Sequence, residues 1–190
     1  MKKCLFLLAL LLVTAQYAMA QPRDVQHCEG DVHVGATMPA GSFHDGDKQV
    51  GGNLGLEFRY NLGHAKLPLD FGLGVDVVSS VYHFHSNDEH SGGDQSNRTF
   101  AVQALCDYNF NQGHNVAPFV GLGMGVGRHD VINDNVYEAG DGEACFVVTP
   151  RVGVELVHHI RLTLNATLSR KGYNAFGLSL GFVLGGRPKK

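Results

Sequence analysis

The residues best suited to chemistry in this chain form a histidine-rich stretch, His83-Phe-His-Ser-Asn-Asp-Glu-His90. His83, His85 and His90 supply imidazole nitrogens, which Zn²⁺ and Cu²⁺ accept as ligands. The spacing of the three histidines matches no closed metal-site pattern, and a solvated polar loop is the alternative interpretation. We keep the three histidines as weak metal candidates and predict no cofactor.

A hydrolytic site would need a nucleophile and a base within hydrogen-bonding distance. Ser79 and His83 share one face of a predicted strand, but four residues along a strand span about 13 Å. The Gly-x-Ser-x-Gly pattern, whose usual setting is a sharp turn that exposes a nucleophilic serine, occurs at Gly177-Leu-Ser-Leu-Gly181, but there it lies inside the alternating segment 173–184 and not at a turn. We therefore assign no catalytic residue and predict that the protein is not an enzyme. A lipid-modifying enzyme of the outer membrane remains an alternative.

Charged residues at alternate positions of one stretch form a further candidate set. The stretch 150–166, PRVGVELVHHIRLTLNA, alternates apolar and polar residues with a period of two, which predicts half-buried β-strand. Arg151, Glu155 and Arg161 fall on its polar face. If 157–159 form a three-residue turn, Glu155 lies opposite Arg161, as in a cross-strand ion pair.

The same alternation defines eight segments along the chain. They cover residues 30–38, 50–60, 68–82, 98–110, 116–128, 144–157, 160–169 and 173–184. Each is close to the 9–11 residues that a tilted strand needs to cross a bilayer. Short turns alternate with longer polar connections, of which 41–49, 83–97 and 129–143 are the longest. Long loops at one end and short turns at the other are typical of outer-membrane barrels.

The two faces of these segments differ in charge. The central apolar positions carry no charge, whereas the opposite face combines charged residues with glycines. In a membrane barrel the apolar face points to lipid, and eight strands leave an interior that side chains can fill. A soluble, lipocalin-like barrel would reverse the faces. We predict the membrane orientation, with an interior structural charge cluster of Glu57, Arg59, Asp70, Asp107, Arg151, Glu155 and Arg161.

Aromatic side chains near the predicted strand ends are expected to form interfacial girdles. They are Tyr60, Tyr82, Phe84, Tyr108, Phe110 and Tyr173.

The N-terminus predicts export. A basic start at Lys2 and Lys3, an apolar run and Ala18-Met19-Ala20 indicate a signal peptide over 1–20, cleaved after Ala20, which leaves 21–190 as one barrel domain. The net charge of −3 becomes more negative without the two lysines, which argues against nucleic acid as a partner. Cys28, Cys106 and Cys145 remain, so at most one disulfide forms; small packing residues are the preferred interpretation.

Three stretches resemble a known family. They are Ala117-Pro-Phe-Val-Gly-Leu-Gly-Met-Gly-Val-Gly127, the hairpin from Thr149 to Arg161, and Phe176-Gly-Leu-Ser-Leu-Gly-Phe-Val-Leu-Gly-Gly186. Together with the eight segments, the chain resembles the small eight-stranded outer-membrane β-barrels of Gram-negative bacteria, the OmpX- and OmpA-like, porin-family proteins. The resemblance implies insertion by the barrel-assembly machinery, which commonly reads a terminal aromatic residue. Here eight residues follow Phe182, so the assembly signal would be internal.

The sequence thus predicts an all-β, eight-stranded antiparallel transmembrane up-and-down β-barrel in the cell outer membrane. Its expected role is a membrane-anchored scaffold for surface loops, and a narrow channel is the alternative. Expected partners are outer-membrane lipid and lipopolysaccharide, the barrel-assembly machinery and an extracellular ligand of unknown identity.

Overall fold

The computed structural model describes residues 24–41, 46–62, 67–85, 93–133 and 142–185. These ranges contain β-strands and no helix long and apolar enough to cross a membrane. The strands are β1 (Cys28–Pro39), β2 (Asp47–Gln49), β3 (Gly51–Asn61), β4 (Leu69–Phe84), β5 (Gly93–Asn109), β6 (Val116–Asn133), β7 (Glu143–Leu156), β8 (Ile160–Thr167) and β9 (Ala175–Gly185). The predicted signal peptide, 1–20, lies outside the described residues.

The strands close into one antiparallel barrel. Neighbours in the chain pair with each other, and β9 pairs with β1 along almost their whole lengths. The short β2 and the long β3 both pair with β4, Gln49 opposite Val81 and Asn53 opposite Val78. Three residues, 50–52, therefore face two on β4, as in a β-bulge. Because β2 and β3 act as one strand of the barrel, the predicted eight-stranded up-and-down barrel is confirmed.

The alternation of side chains places the apolar residues outside. On β9, Phe176, Leu178, Leu180, Phe182 and Leu184 are all more than half exposed. Their neighbours on the inner face, such as Ser179, are buried. A sheet with this polarity is stable only where the outer face meets hydrocarbon, because charged and polar side chains fill the interior.

Four strands are longer than the others. β4, β5, β6 and β7 have 16, 17, 18 and 14 residues, whereas β8 has eight. Residues 93–97 and 129–133, which we predicted as loop, are therefore strand. In these stretches the inner positions are buried but polar, as at Asn97 and His129, and the outer positions are not uniformly apolar, so the apolar–polar alternation that marks a strand is lost.

Two further expectations can be compared with the structure. Tyr82 is fully buried inside the barrel, so its assignment to an aromatic girdle is wrong; it shares its side of β4 with Asp70 and Val78. Cys28, Cys106 and Cys145 are free thiols in the structure.

Candidate functional site

The lower half of the barrel interior, near the short turns, is filled by buried arginines and carboxylates. Arg151 makes a bidentate interaction with Asp107, from Nε to Oδ1 at 2.8 Å and from Nη2 to Oδ2 at 2.7 Å. Its third nitrogen, Nη1, donates to Glu57 on the far side of the barrel. One planar guanidinium thus connects β7 with β5 and β3. Bidentate pairs of this kind are among the stronger hydrogen bonds in proteins.

Arg161 lies on the same carboxylate. Its Nη2 donates to Asp107 Oδ2 at 2.5 Å, and its guanidinium carbon lies 3.5 Å above the centre of the Phe119 ring. Glu155, opposite Arg161 in the β7–β8 register, is more distant, with 3.7 Å between Nη1 and Oε2. Asp107 is therefore the acceptor shared by two arginines.

Arg59 is almost fully buried among three carboxylates. Its nitrogens lie 3.2 Å from Glu29, 3.8 Å from Glu57 and 3.9 Å from Asp31. Asp70 differs from the other predicted cluster residues, since the neighbours that donate to it are the amides of Asn109 and Gln112. The seven predicted residues thus lie in one half of the interior, six of them linked by the ion pairs given above.

Sequence reasoning missed four residues of this cluster. Glu29 and Asp31 belong to it, and both lie on the same face of β1 as His33. The predicted first segment, 30–38, excluded Glu29, so extending the period of two back to Cys28 would have found it. Asp31 lay inside that segment and was not assigned to the cluster. Phe119 and Gln112 carried no such signal, because an aromatic ring on the polar face and an amide in a turn fit other environments equally well.

Glycine makes room for the large charged side chains. A Cβ atom built on Gly121 would collide with the Asp107 carboxylate, and one on Gly181 would collide with that of Asp31. Gly121 lies on β6, beside the strand β5 that carries Asp107, and Gly181 lies on β9, beside the strand β1 that carries Asp31. Each glycine therefore makes room for one particular carboxylate. The predicted pairing of interior charge with interior glycine has this steric basis.

The middle of the interior is closed by hydrogen bonds between side chains. His33 Nε2 lies 2.9 Å from Asp76 Oδ1, Gln103 donates to Asp76, and Thr149 donates to Gln103. The cavity lined by these residues has a volume of about 20 Å³. This is room for about one water molecule. Side chains therefore fill this part of the interior almost completely.

The connection between β8 and β9 folds into the upper mouth of the barrel. Asn97 Nδ2 donates to the carbonyl of Gly172 at 3.0 Å, and Ser80 Oγ donates to that of Asn174 at 3.3 Å. The His129 ring stacks on Tyr173 with 3.8 Å between centroids, and its Nε2 lies 2.9 Å from Ser169 Oγ. We call residues 169–174 the mouth plug.

The upper limit of the membrane follows from the backbone pairing. β7 and β8 pair from Leu156–Ile160 at the turn up to an isolated bridge between Val148 and Leu168, nine residues on each strand. Backbone groups in hydrocarbon must be paired, and 9–11 residues suffice to span it. The hydrocarbon region therefore ends near Val148. The parts of β2 and β4–β7 above it form a sheet beyond the membrane, which we call the wall.

His129 lies in the wall, and its protonation is expected to loosen the mouth plug. Burial lowers the pKa of His129, as does the positive charge of Arg170; Glu143 and Asp130 act in the opposite direction. When the pKa of a histidine is lower in the folded state than in the unfolded state, the folded structure loses stability as the pH falls below the unfolded pKa of about 6.5. We expect amide hydrogen exchange of 169–174, corrected for its intrinsic pH dependence, to be faster at pH 5 than at pH 7.5.

A matched variant identifies the group responsible. His129→Gln keeps a hydrogen-bonding group toward Ser169 but cannot take up a proton, so it should remove the pH dependence. Equal dependence in both proteins would contradict this role of His129.

The histidine-rich stretch does not assemble a metal site in the described residues. His83 Nδ1 lies 2.5 Å from Asp94, and His85 Nε2 lies 2.8 Å from Asp47, in two separate exposed pairs. His90 lies outside the described residues. Within the described ranges, no three potential ligands come together.

The serine and histidine considered for hydrolysis have other partners. Ser79 Oγ lies 2.8 Å from Ser96 Oγ, and His83 contacts Asp94. In the described part of the chain, these contacts do not form the nucleophile–base pair that acyl transfer requires.

A closed eight-stranded barrel with an apolar outer belt, a packed polar interior and strands that continue beyond one membrane surface defines a small integral outer-membrane barrel. Residues 5–184 match the family described as outer membrane protein beta-barrel domain. The chain belongs to this family, which implies location in the outer membrane.

The chain is also similar to solved structures at low identity. Neisserial surface protein A shares 14% identity, with 84% of this chain and 97% of that chain covered and a TM-score of 0.50. Ail, the attachment invasion locus protein of Yersinia pestis, was solved with the heparin analogue sucrose octasulfate. It shares 14% identity, with 84% of this chain and 100% of that chain covered and a TM-score of 0.46. A comparison with curated protein sequences finds no match.

Proposed function

We propose that this protein is a membrane-anchored scaffold that holds an extracellular sheet and its loops for interaction with molecules outside the cell. One observation carries the proposal: the interior is filled by paired side chains, whereas β4–β7 continue well beyond the last pairing of β8. A chain that only closed a barrel would need no wall. Binding surfaces are commonly placed on rigid scaffolds of this kind.

The packing argues against the narrow channel. A permeating ion would have to displace Arg151 or Arg161 from Asp107 and then pass the mouth plug. Separating buried ion pairs leaves uncompensated charges, which is costly. Ser79 and His83, with partners of their own, likewise give no support to the lipid-modifying enzyme.

The same proposal includes the cellular context. Residues 1–20 direct export and are removed after Ala20, and the barrel-assembly machinery inserts the chain. Lipid and lipopolysaccharide surround the apolar belt, and an extracellular ligand binds the wall or its loops. The acidic balance of the chain makes nucleic acid an unsuitable partner.

Conductance measured in planar bilayers, for the wild-type protein and for a shortened variant, distinguishes the scaffold from the channel. We expect the refolded wild-type protein to show no conductance steps. A trimmed chain, in which Asn-Gly replaces residues 131–141, should also show none and should still migrate as a folded, heat-modifiable band. The nine-residue membrane core and the mouth plug are intact in both chains.

Either of two results would contradict the proposal. Steps in the wild type that disappear after heat denaturation would support a channel. Failure of the trimmed chain to fold would show that the wall belongs to the barrel and is not a separable interaction surface.

A further inference from the structure

The ladder of hydrogen bonds between β7 and β8 is interrupted inside the membrane, at Pro150. Continuous pairing ends at Arg151 opposite Asn165, and the next pair is Val148 opposite Leu168. The two pairs in between are missing from the ladder. A proline has no N–H group, so within a sheet it removes one hydrogen bond of the ladder. The interruption therefore follows from one residue of the sequence.

The hydrogen bond that Pro150 cannot donate would go to the carbonyl of Ala166. Val148 N donates to Leu168 O at 2.9 Å, and Leu168 N donates to Val148 O at 2.8 Å. Such hydrogen-bonded pairs recur at every second residue of an antiparallel ladder. The next one places Pro150 opposite Ala166, where the carbonyl of Ala166 faces a nitrogen without a hydrogen. This acceptor is left without its partner on the neighbouring strand.

The unpaired carbonyl lies in the hydrocarbon region, close to its upper limit. Pro150 is two residues below Val148, which is about 5 Å for a strand tilted by about 45°. An unpaired backbone group is costly at this depth, because lipid offers no hydrogen bonds. The lipid-facing side chains around it, such as Val152 and Leu164, have no donor. A donor from the bilayer side therefore has to belong to a molecule that lies against the barrel.

A groove in the lipid-facing surface leads to this position. It has a volume of about 490 Å³, and Pro150 and Ala166 contribute the small side chains of its lining. Val152, Leu164 and Phe176 are the larger side chains along it, and each is at least half exposed. The groove thus combines apolar walls, which suit an acyl chain, with one backbone acceptor.

We propose that the groove binds an acyl chain that carries a hydroxyl group on its third carbon, and that this hydroxyl donates to the carbonyl of Ala166. Primary acyl chains of lipopolysaccharide have this chemistry. With the wall outside the cell, the groove lies in the outer leaflet just below the head groups, which is the depth of the third carbon. A plain acyl chain would cover the groove but leave the carbonyl unpaired. The proposal adds a lipid site to the apolar belt and does not depend on the scaffold role.

The sequence makes the carbonyl directly observable by nuclear magnetic resonance. With ¹³C at the alanine carbonyls and ¹⁵N at the threonines, a carbonyl–nitrogen correlation contains two signals, from Ala36-Thr37 and Ala166-Thr167. Ala36 is an internal control, because it is exposed on β1 and its neighbours on β3 and β9 both have N–H groups. A carbonyl carbon moves downfield when its oxygen accepts a hydrogen bond.

The refolded protein is studied in nanodiscs of dimyristoyl phosphatidylcholine, into which a test lipid is titrated. The first test lipid is the same phospholipid with a 3-hydroxyl on each chain. The second carries 3-methoxy groups, which keep the oxygen but cannot donate. The third is deep-rough lipopolysaccharide, which has hydroxylated chains on a different head group.

We expect the hydroxylated phospholipid and the lipopolysaccharide to move the Ala166 carbonyl downfield and to leave Ala36 in place. Half of the full shift should be reached at a hydroxylated fraction of about one in six or lower, a preference of about fivefold or more, as one net hydrogen bond provides. The methoxy lipid should move neither signal.

Two proline variants identify the cause. Pro150→Ala supplies the missing N–H group, so its Ala166 carbonyl should start downfield and no longer respond to the hydroxylated lipid. Pro118→Ala is the matched control, because Pro118 also lies within a strand, β6, but outside the groove. It should respond like the wild type. Heat-modifiable mobility verifies folding, and the wild-type titration decides the proposal even if a variant does not fold.

Four results would overturn the proposal. Equal responses to the hydroxyl and methoxy lipids would show that no donated hydrogen bond is involved. A wild-type carbonyl that lies downfield in plain nanodiscs would show that the barrel interior already pairs it. A shift that follows the number of protein molecules per nanodisc would assign the groove to a second copy. A response to the hydroxylated phospholipid but not to lipopolysaccharide would exclude lipopolysaccharide as the source of the chain.

Discussion

Asp107→Ala is expected to lower the free energy of unfolding by about 3–5 kcal/mol, because it leaves Arg151 and Arg161 buried without their shared carboxylate. Asp107 is 1% exposed, and it accepts from three guanidinium nitrogens. A loss of this size is a large part of the total stability of a typical domain. Urea unfolding in detergent micelles, followed by far-ultraviolet circular dichroism and by heat-modifiable gel mobility, measures it.

Asp94→Ala is the matched control on the same strand. Asp94 also contacts a basic side chain, His83, but it is 53% exposed in the wall. Exposed ion pairs contribute about 0–1 kcal/mol. If the two variants unfolded at the same urea concentration, the buried arginine–carboxylate cluster would have no special structural role.

Leu180→Arg should cost about 2–4 kcal/mol, since it places a charge at the middle of the lipid-facing side. Leu180 lies at the centre of β9, opposite Val34 on β1 and Leu162 on β8, and is 53% exposed. In water, an exposed leucine on a strand tolerates such a change. A large cost measured in micelles or liposomes therefore reports directly on the medium that surrounds the barrel.

A second lipid-facing position on β9, closer to the membrane surface, provides the control. Leu184 is 61% exposed and lies near the end of β9, on the side of the short turns. Arginine there should cost about 0–1 kcal/mol, because the penalty falls near the interface. Equal, small effects at both positions would argue for a water-facing surface and against the membrane orientation.

The sequence predicted the barrel because its strongest signal is periodic and local. Alternation over 150–166 placed Glu155 and Arg161 on one face, and the turn at 157–159 set them opposite each other. No knowledge of distant contacts was needed. The same rule failed at residues 93–97 and 129–133, where strands continue in water and neither face has to be apolar.

The partners inside the barrel were beyond the reach of such local rules. From the sequence, Glu155 appeared to be the principal partner of Arg161, but Asp107, 54 residues away, binds it more closely. Which carboxylate a guanidinium reaches depends on the stagger between strands and on glycines such as Gly121 that leave room. These are properties of the closed barrel and not of any one strand.

By itself, the sequence determined the strand pattern, the direction of the two faces and the set of charges that must lie inside, because a period of two and the cost of charge in lipid act residue by residue. Only the tertiary structure decided which charges pair, that the β8–β9 connection fills the mouth, and that the pairing of β7 with β8 ends at Val148. Each of these depends on where one strand ends relative to another, and that relation exists only once the sheet has closed.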